Sequence, residues 1–280
     1  MWLGVAEKLS LDFTGLDWWT HGRLVNYEQP NPAEPLISNW LVQNPQRLSL
    51  ANVGFIFGDI NITENQLENK GQDLDLWSGG IASTFTYRGS RVDTQTWSDP
   101  EHSVVAIQVE SDLLEKGDIS FSFDFPYSDL LKFDAPYVGV WNDTAHHKTV
   151  VETERHQATF KHMFDSVTNY LSIAWDVSGK ITGPLAGSTT KYVLQPSHSK
   201  TVHIVAAFSG SDNSDLTLPS FEEVRSRSKQ WWQKYWSTGA FIDLSATGNA
   251  DATELQRRII LSQYLMAVNG ASDSPPQGTP

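Results

Sequence analysis

Indole is the chemistry this sequence carries in excess, with eleven tryptophans in 280 residues. A flat indole stacks on the C–H face of a sugar ring, and such sites add a few carboxylates, amides or hydroxyls that orient the ligand. Trp18, Trp19, Trp77, Trp97 and Trp141 stand in or beside expected loops and are the candidates for such contacts. Tryptophan also fills sandwich cores, and Trp175 in an expected strand and Trp231-Trp232 on an expected helix read as packing. The 33 aspartates and glutamates could hold the carboxylate pair that glycoside cleavage needs, one a raised-pKa acid and the other a base or nucleophile, but no spacing selects a pair. Other reaction classes lose their usual signals: there is no G-x-S-x-G elbow, no glycine-rich phosphate loop and no H-E-x-x-H. His146 and His147 are adjacent, and neighbouring strand residues point to opposite faces, a poor geometry for one metal ion. Zero cysteines remove thiolate ligands, thiol nucleophiles and disulfides. No metal or cofactor is expected.

These residues must be positioned by strands. The first fifty residues are aromatic and turn-rich and read as a loop or wandering edge segment. From Arg47 the period changes to two: Leu48, Leu50, Val53, Phe55 and Phe57 suggest a strand bulged near Asn52 and bounded by Gly58-Asp59. Residues 61–73 are polar and read as a loop. Residues 81–87 and 91–97, joined by Arg88-Gly89-Ser90, predict a hairpin with a three-residue turn. Residues 104–110 predict a strand, and 119–125 alternates so that Ile119, Phe121, Phe123 and Phe125 share a dry face. Further strands are expected at 148–154, 156–162, 170–176, 190–195 and 201–208. Short spacing without helical crossovers makes the fold mainly β, a large antiparallel sandwich.

Two helices follow. The first opens on Pro219 and Ser220 as N-cap, with Glu223 completing a capping box. Phe221, Val224, Trp231, Trp232 and Tyr235 form its apolar stripe, which leaves Arg225, Arg227, Lys229 and Lys234 toward water. The second runs from Asp251, with Glu254 at N3, to Asn269-Gly270. Leu255, Ile259, Ile260, Leu261, Tyr264, Leu265, Met266, Ala267 and Val268 cover all its sides, and such a helix is normally enclosed all round. At ~1.5 Å per residue it is about 25 Å long, too short and too interrupted by Arg257, Arg258 and Gln263 to span a membrane. One face could lie on the strands; the other predicts a partner, so the chain is expected to stop inside a larger protein. A homodimer face through residues 255–268, or a helix sunk in its own core, are the alternatives.

A net charge of −13, with no Lys/Arg cluster beyond Arg257-Arg258, makes nucleic acid and anionic membranes poor partners and favours a neutral ligand. The sequons Asn61-Ile62-Thr63 and Asn142-Asp143-Thr144 are compatible with secretion, although Met1 is followed by neither a basic region nor an apolar run that would read as a signal peptide.

Several stretches, in order, resemble the six-hairpin glycosidases, especially proteins similar to glycoside hydrolase family sixty-five. They are residues 18–23 (Trp-Trp-Thr-His-Gly-Arg), 44–48 with 53–55, 76–81 with Phe85, Trp231-Trp232 through Trp236, residues 254–265, and 273–277. The resemblance implies a galactose-mutarotase-like supersandwich over 1–215, a helical linker over 216–250, and at 251–280 the start of an (α/α) toroid that carries the catalytic carboxylates. It implies an exo-acting hydrolase of which this chain is the non-catalytic part, inert alone; the full-length protein is expected to be secreted. Trp18, Trp19, His21 and Gln277 are the residues expected to approach sugar, with packing of the sandwich on the barrel as the alternative. A free-standing carbohydrate-binding module and a structural dimerisation domain are the competing readings.

Overall fold

The computed structural model describes residues 16–27, 35–36, 49–58, 62–128, 139–197, 199–212 and 217–270. Among the described residues there are fourteen strands, one short α-helix between them and two long α-helices after them. The first two, β1 (Leu16–Thr20) and β2 (Arg23–Tyr27), form a hairpin of their own. The others are β3 (Asn52–Phe57), β4 (Glu68–Asp75), β5 (Gly80–Tyr87), β6 (Ser90–Ser98), β7 (Val104–Glu110), β8 (Ile119–Asp124), β9 (His147–Thr153), β10 (Gln157–Phe164), β11 (Val167–Trp175), β12 (Gly179–Thr182), β13 (Lys191–Pro196) and β14 (Thr201–Ser209). A short helix, α1 (Asp112–Glu115), links β7 to β8, and α2 (Phe221–Ser237) and α3 (Ala250–Gly270) close the chain.

Eight strands form one sheet in the order β4-β5-β6-β7-β14-β11-β10-β9, and four form a second in the order β12-β13-β8-β3. Every pair is antiparallel. Strict alternation in β8 puts Ile119, Phe121 and Phe123, each at most 3% exposed, between the sheets, against Phe85, Phe160, Leu171 and Ile173. Phe123 stacks on Phe160 at 5.4 Å between ring centres, and Phe55 meets Phe85 edge-on at 5.8 Å. The mainly-β sandwich with trailing helices is the architecture the alternation predicted.

A second, smaller core lies on the outer face of the large sheet. There Trp97, Val104, Ala106, Val205 and Ala207 meet Phe221 and Val224 of α2. Strand β14 is therefore apolar on both faces from Ile204 to Ala207, because one face lies in the sandwich and the other under a helix. The α2 capping box forms as expected: Ser220 Oγ accepts from the Glu223 amide at 3.3 Å, and the Glu223 carboxylate accepts from the Ser220 amide at 2.7 Å.

Several local expectations are corrected. The β5–β6 turn has two residues rather than three, since Tyr87 pairs with Ser90, and Arg88 and Gly89 both take positive φ, a type I′ turn. The polar stretch 61–73 holds a helical turn at Glu64–Gln66 and most of β4; β4 is an exposed edge strand, so nothing in it alternates. Strand β3 begins only at Asn52; Leu50 lies before it, and Leu48 and Asp59 lie outside the described residues. Leu16 to Tyr27, expected as a loop or wandering edge segment, is a two-stranded hairpin. The cations of α2 are not all turned to water: Arg227 pairs at 3.0 Å with Asp99, whose side chain is fully buried, and Arg225 and Lys229 lie over the Trp97 ring at 5.9 and 5.2 Å. Helix α3 is capped by Asn249, whose side chain accepts from the Asp251 amide at 2.9 Å, so Asp251 lies inside the first turn.

Helix α3 leans on α2. Tyr264 stacks on Trp232 at 5.2 Å, and the Tyr235 hydroxyl donates to the Gln263 carbonyl at 3.0 Å. No residue of α3 is buried; Leu255, Leu265, Met266 and Val268 are each about half exposed or more. Among the described residues, no helix is long and apolar enough to cross a membrane.

Candidate functional site

The β1–β2 hairpin carries three of the four residues expected to approach sugar. Its turn is His21-Gly22, with φ of 46° and 74°, the type I′ geometry whose twist matches the flanking strands. Gly22 has open space around it, so its glycine serves the backbone rather than a close contact. Pairing runs Leu16 with Tyr27, Asp17 with Asn26, Trp18 with Val25, Trp19 with Leu24 and Thr20 with Arg23. Opposed residues share a face, so Trp18 and Trp19 point to opposite sides of the ribbon. They therefore do not form one platform.

Trp19 is 75% exposed and shares its face with Leu24 and with Asp17 and Asn26, whose side chains are joined by a 2.8 Å hydrogen bond from Asn26 Nδ2 to Asp17 Oδ1. An open indole beside a carboxylate and an amide is the inventory for stacking on a pyranose and binding its hydroxyls. Trp18, 48% exposed, shares the other face with Val25, Tyr27, Thr20 and Arg23. His21 sits at the tip, its Nδ1 2.9 Å from Thr20 Oγ1. Gln277 lies outside the described residues.

The other indoles divide by layer. Trp175 is buried in the sandwich, as expected. Trp97, a contact candidate at the end of the expected strand 91–97, stands in β6 at 7% exposure, seated against Gly80 and beneath the α2 cations, so its ring is mostly packed. Trp231, Trp232 and Trp236 are half-buried; Trp232 stacks between Trp236 and Tyr264 and so joins α2 to α3. Trp141 is 40% exposed near Asp143, and Trp77 is 53% exposed on the turn before β5.

Ionisable groups supply structure more than reactivity. The His146 imidazole hydrogen-bonds the Asp143 carboxylate at 2.7 Å, which holds the acid down at about 2 and raises the histidine. Both ring nitrogens of buried His147 are engaged, Nδ1 3.0 Å from Nε2 of buried His162 and Nε2 2.6 Å from the Asp143 carbonyl. Among the described residues no group of three His, Cys, Asp or Glu is placed to hold a metal. Burial pushes the Asp99 carboxyl up, but the Glu101 amide, Arg227 and His102 outweigh it and leave the group below its usual range. Every described carboxylate with a resolved shift is lowered, among them Asp93, Asp112, Glu223 and Glu254. None is the raised-pKa acid that glycoside cleavage requires.

The chain matches no protein-family model, and no curated protein matches it in sequence. In structure it is similar to a bacterial glucoamylase solved with acarbose, at a TM-score of 0.52 and 13% identity, over 79% of this chain and 35% of that one. A family GH92 inverting mannosidase from Bacteroides thetaiotaomicron gives a TM-score of 0.39 and 10% identity over 67% of this chain and 26% of that one. A family GH92 alpha-mannosidase from the same organism gives 0.30 and 9% over 69% and 30%. The glucoamylase likeness shows a shared fold. A sandwich of this kind thus also occurs within a glycoside hydrolase. The chain spans 35% or less of the length of each of these three proteins.

Proposed function

We propose that this chain is the non-catalytic sandwich portion of an exo-acting glycoside hydrolase of the six-hairpin, family-sixty-five-like kind, in which the β1–β2 hairpin contacts sugar and α3 seats a helical catalytic domain. The observation that carries the reading is the fold shared with a glucoamylase over 79% of this chain but only 35% of the enzyme. The hairpin supports it, because a ribbon paired with no other strand among the described residues, and bearing Trp18, Trp19 and His21 in the open, suits a surface that meets a ligand or another domain. The carboxylates support it too, since those with a resolved shift are paired and ionised rather than poised as acids.

The assay is hydrolysis. The purified chain is incubated with maltooligosaccharides, starch and aryl glycosides, and released reducing ends are counted. No turnover is expected; sustained release that follows the protein through purification would overturn the non-catalytic reading. Exposure of Leu255, Leu265, Met266 and Val268 on one helix also favours a second reading, self-association through residues 255–268. Sedimentation at two concentrations separates the readings: a monomer at both leaves the helix free for a different domain, whereas a concentration-dependent dimer supports pairing of copies.

A further inference from the structure

The turn Leu76-Trp77-Ser78-Gly79 is clamped from several sides. The Asp75 carboxylate accepts from the Trp77 amide at 3.1 Å and from the Ser78 hydroxyl, and the Asp75 carbonyl accepts from the Ser78 and Gly79 amides at 3.2 and 2.7 Å. Helix α2 holds the same turn from above: the Trp236 indole donates to the Leu76 carbonyl at 2.5 Å, and the Ser228 hydroxyl donates to the Ser78 carbonyl at 3.4 Å. Trp232 lies so close to Gly79 that no Cβ could stand there. All this fixes a turn whose one large side chain, Trp77, stays 53% exposed.

Beside that indole is a cleft of about 380 Å³, bounded by the outer face of the large sheet and by α2. Asp73, Gln95, Lys229 and Gln233 line it. Strand register explains the sheet side, because Asp73 pairs with Ala82 and Ala82 with Gln95, so the small alanine forms a floor between a carboxylate and an amide. The Asp73, Gln95 and Gln233 side chains make no hydrogen bond among the described residues, and Lys229 is held over Trp97 at 5.2 Å. Trp97 lines the same cleft, is 7% exposed, and has an indole N–H with no partner among the described residues. A pre-positioned aromatic face surrounded by unspent amides, a carboxylate and an ammonium matches a neutral, hydroxyl-rich ring better than an anion or an apolar molecule.

We propose that this cleft is a saccharide subsite separate from the β1–β2 hairpin, with Trp77 stacking on a pyranose and Asp73, Gln95, Gln233 and Lys229 binding its hydroxyls. The inference shares the carbohydrate class with the proposed function but stands on its own residues. The test is fluorine NMR of fluorotryptophan-labelled protein, with the Trp77 and Trp19 signals assigned through Trp77→Phe and Trp19→Phe, titrated with maltotriose, cellotriose and mannotriose to tens of millimolar. At least one sugar is expected to shift the Trp77 signal saturably, with the shift kept in Trp19→Phe. Combined Gln95→Ala and Gln233→Ala should weaken it about tenfold at unchanged unfolding midpoint, the effect of losing two modest hydrogen bonds. A Trp77 signal unmoved by all three sugars, or moved equally after loss of both amides, would overturn the subsite. A shift at Trp19 without one at Trp77 would sink this inference and leave the hairpin reading standing, and the reverse pattern would do the opposite.

Discussion

His162 shows how one residue can set a pH limit on the fold. It is 1% exposed, enclosed by Phe125, Phe164 and His147, and its Nδ1 has no partner among the described residues. His147 Nε2 lies 2.6 Å from the Asp143 carbonyl and must donate to it, so in the neutral pair His147 Nδ1 accepts from His162 Nε2. Burial first, and the neighbouring His147 second, lower the His162 pKa to about 4. An imidazole kept neutral in the fold but free to protonate when unfolded, near pH 6.5, stabilises the protein fully above that pH. The contribution is lost as pH falls from about 6.5 toward 4, and by then amounts to roughly 3 kcal/mol. Urea unfolding at pH 7 and pH 4.5 should show this loss in the parent and much less of it in His162→Gln. An equal loss in both proteins would place the acid sensitivity elsewhere.

At the scale of elements, α2 and the turn it clamps offer a contrast between two glycines of nearly equal φ. Gly79→Ala places a methyl inside the Trp232 ring at φ of 75° and should cost about 2–4 kcal/mol of stability, read as a lower denaturant midpoint. Gly22→Ala, at φ of 74° in open space, should cost only about 1 kcal/mol. Equal costs would mean that the Trp232 contact is not rigid. The α2 capping box and the β5–β6 hairpin were legible because their signals lie within a few residues of each other. Edge strand β4 was not, since the reading relies on one dry face and Glu68 to Asp75 have none. The burial of Trp97 was not legible for a related reason: its cover comes from α2, more than a hundred residues away, and no local pattern announces burial on the outer face of a sheet. The placement of Trp18 and Trp19 on opposite faces follows from hairpin pairing, which the expectation of a loop or wandering edge segment had hidden.

For the whole molecule, the sandwich closes its own core while α3 keeps apolar side chains in water. Leu265→Asp with Met266→Asp, both on a helix with no buried residue, should leave the unfolding free energy within about 0.5 kcal/mol of the parent by chemical denaturation. A loss of several kcal/mol would mean that this chain packs the helix itself and would remove the docking surface from the account. Saturation-transfer difference NMR with maltotetraose tests the central claim most directly, because one sample reports both contact and cleavage. Transfer to intact sugar is expected, falling in Trp18→Ala with Trp19→Ala, with no glucose accumulating in the tube. Free glucose, or transfer unaffected by loss of both indoles, would contradict it.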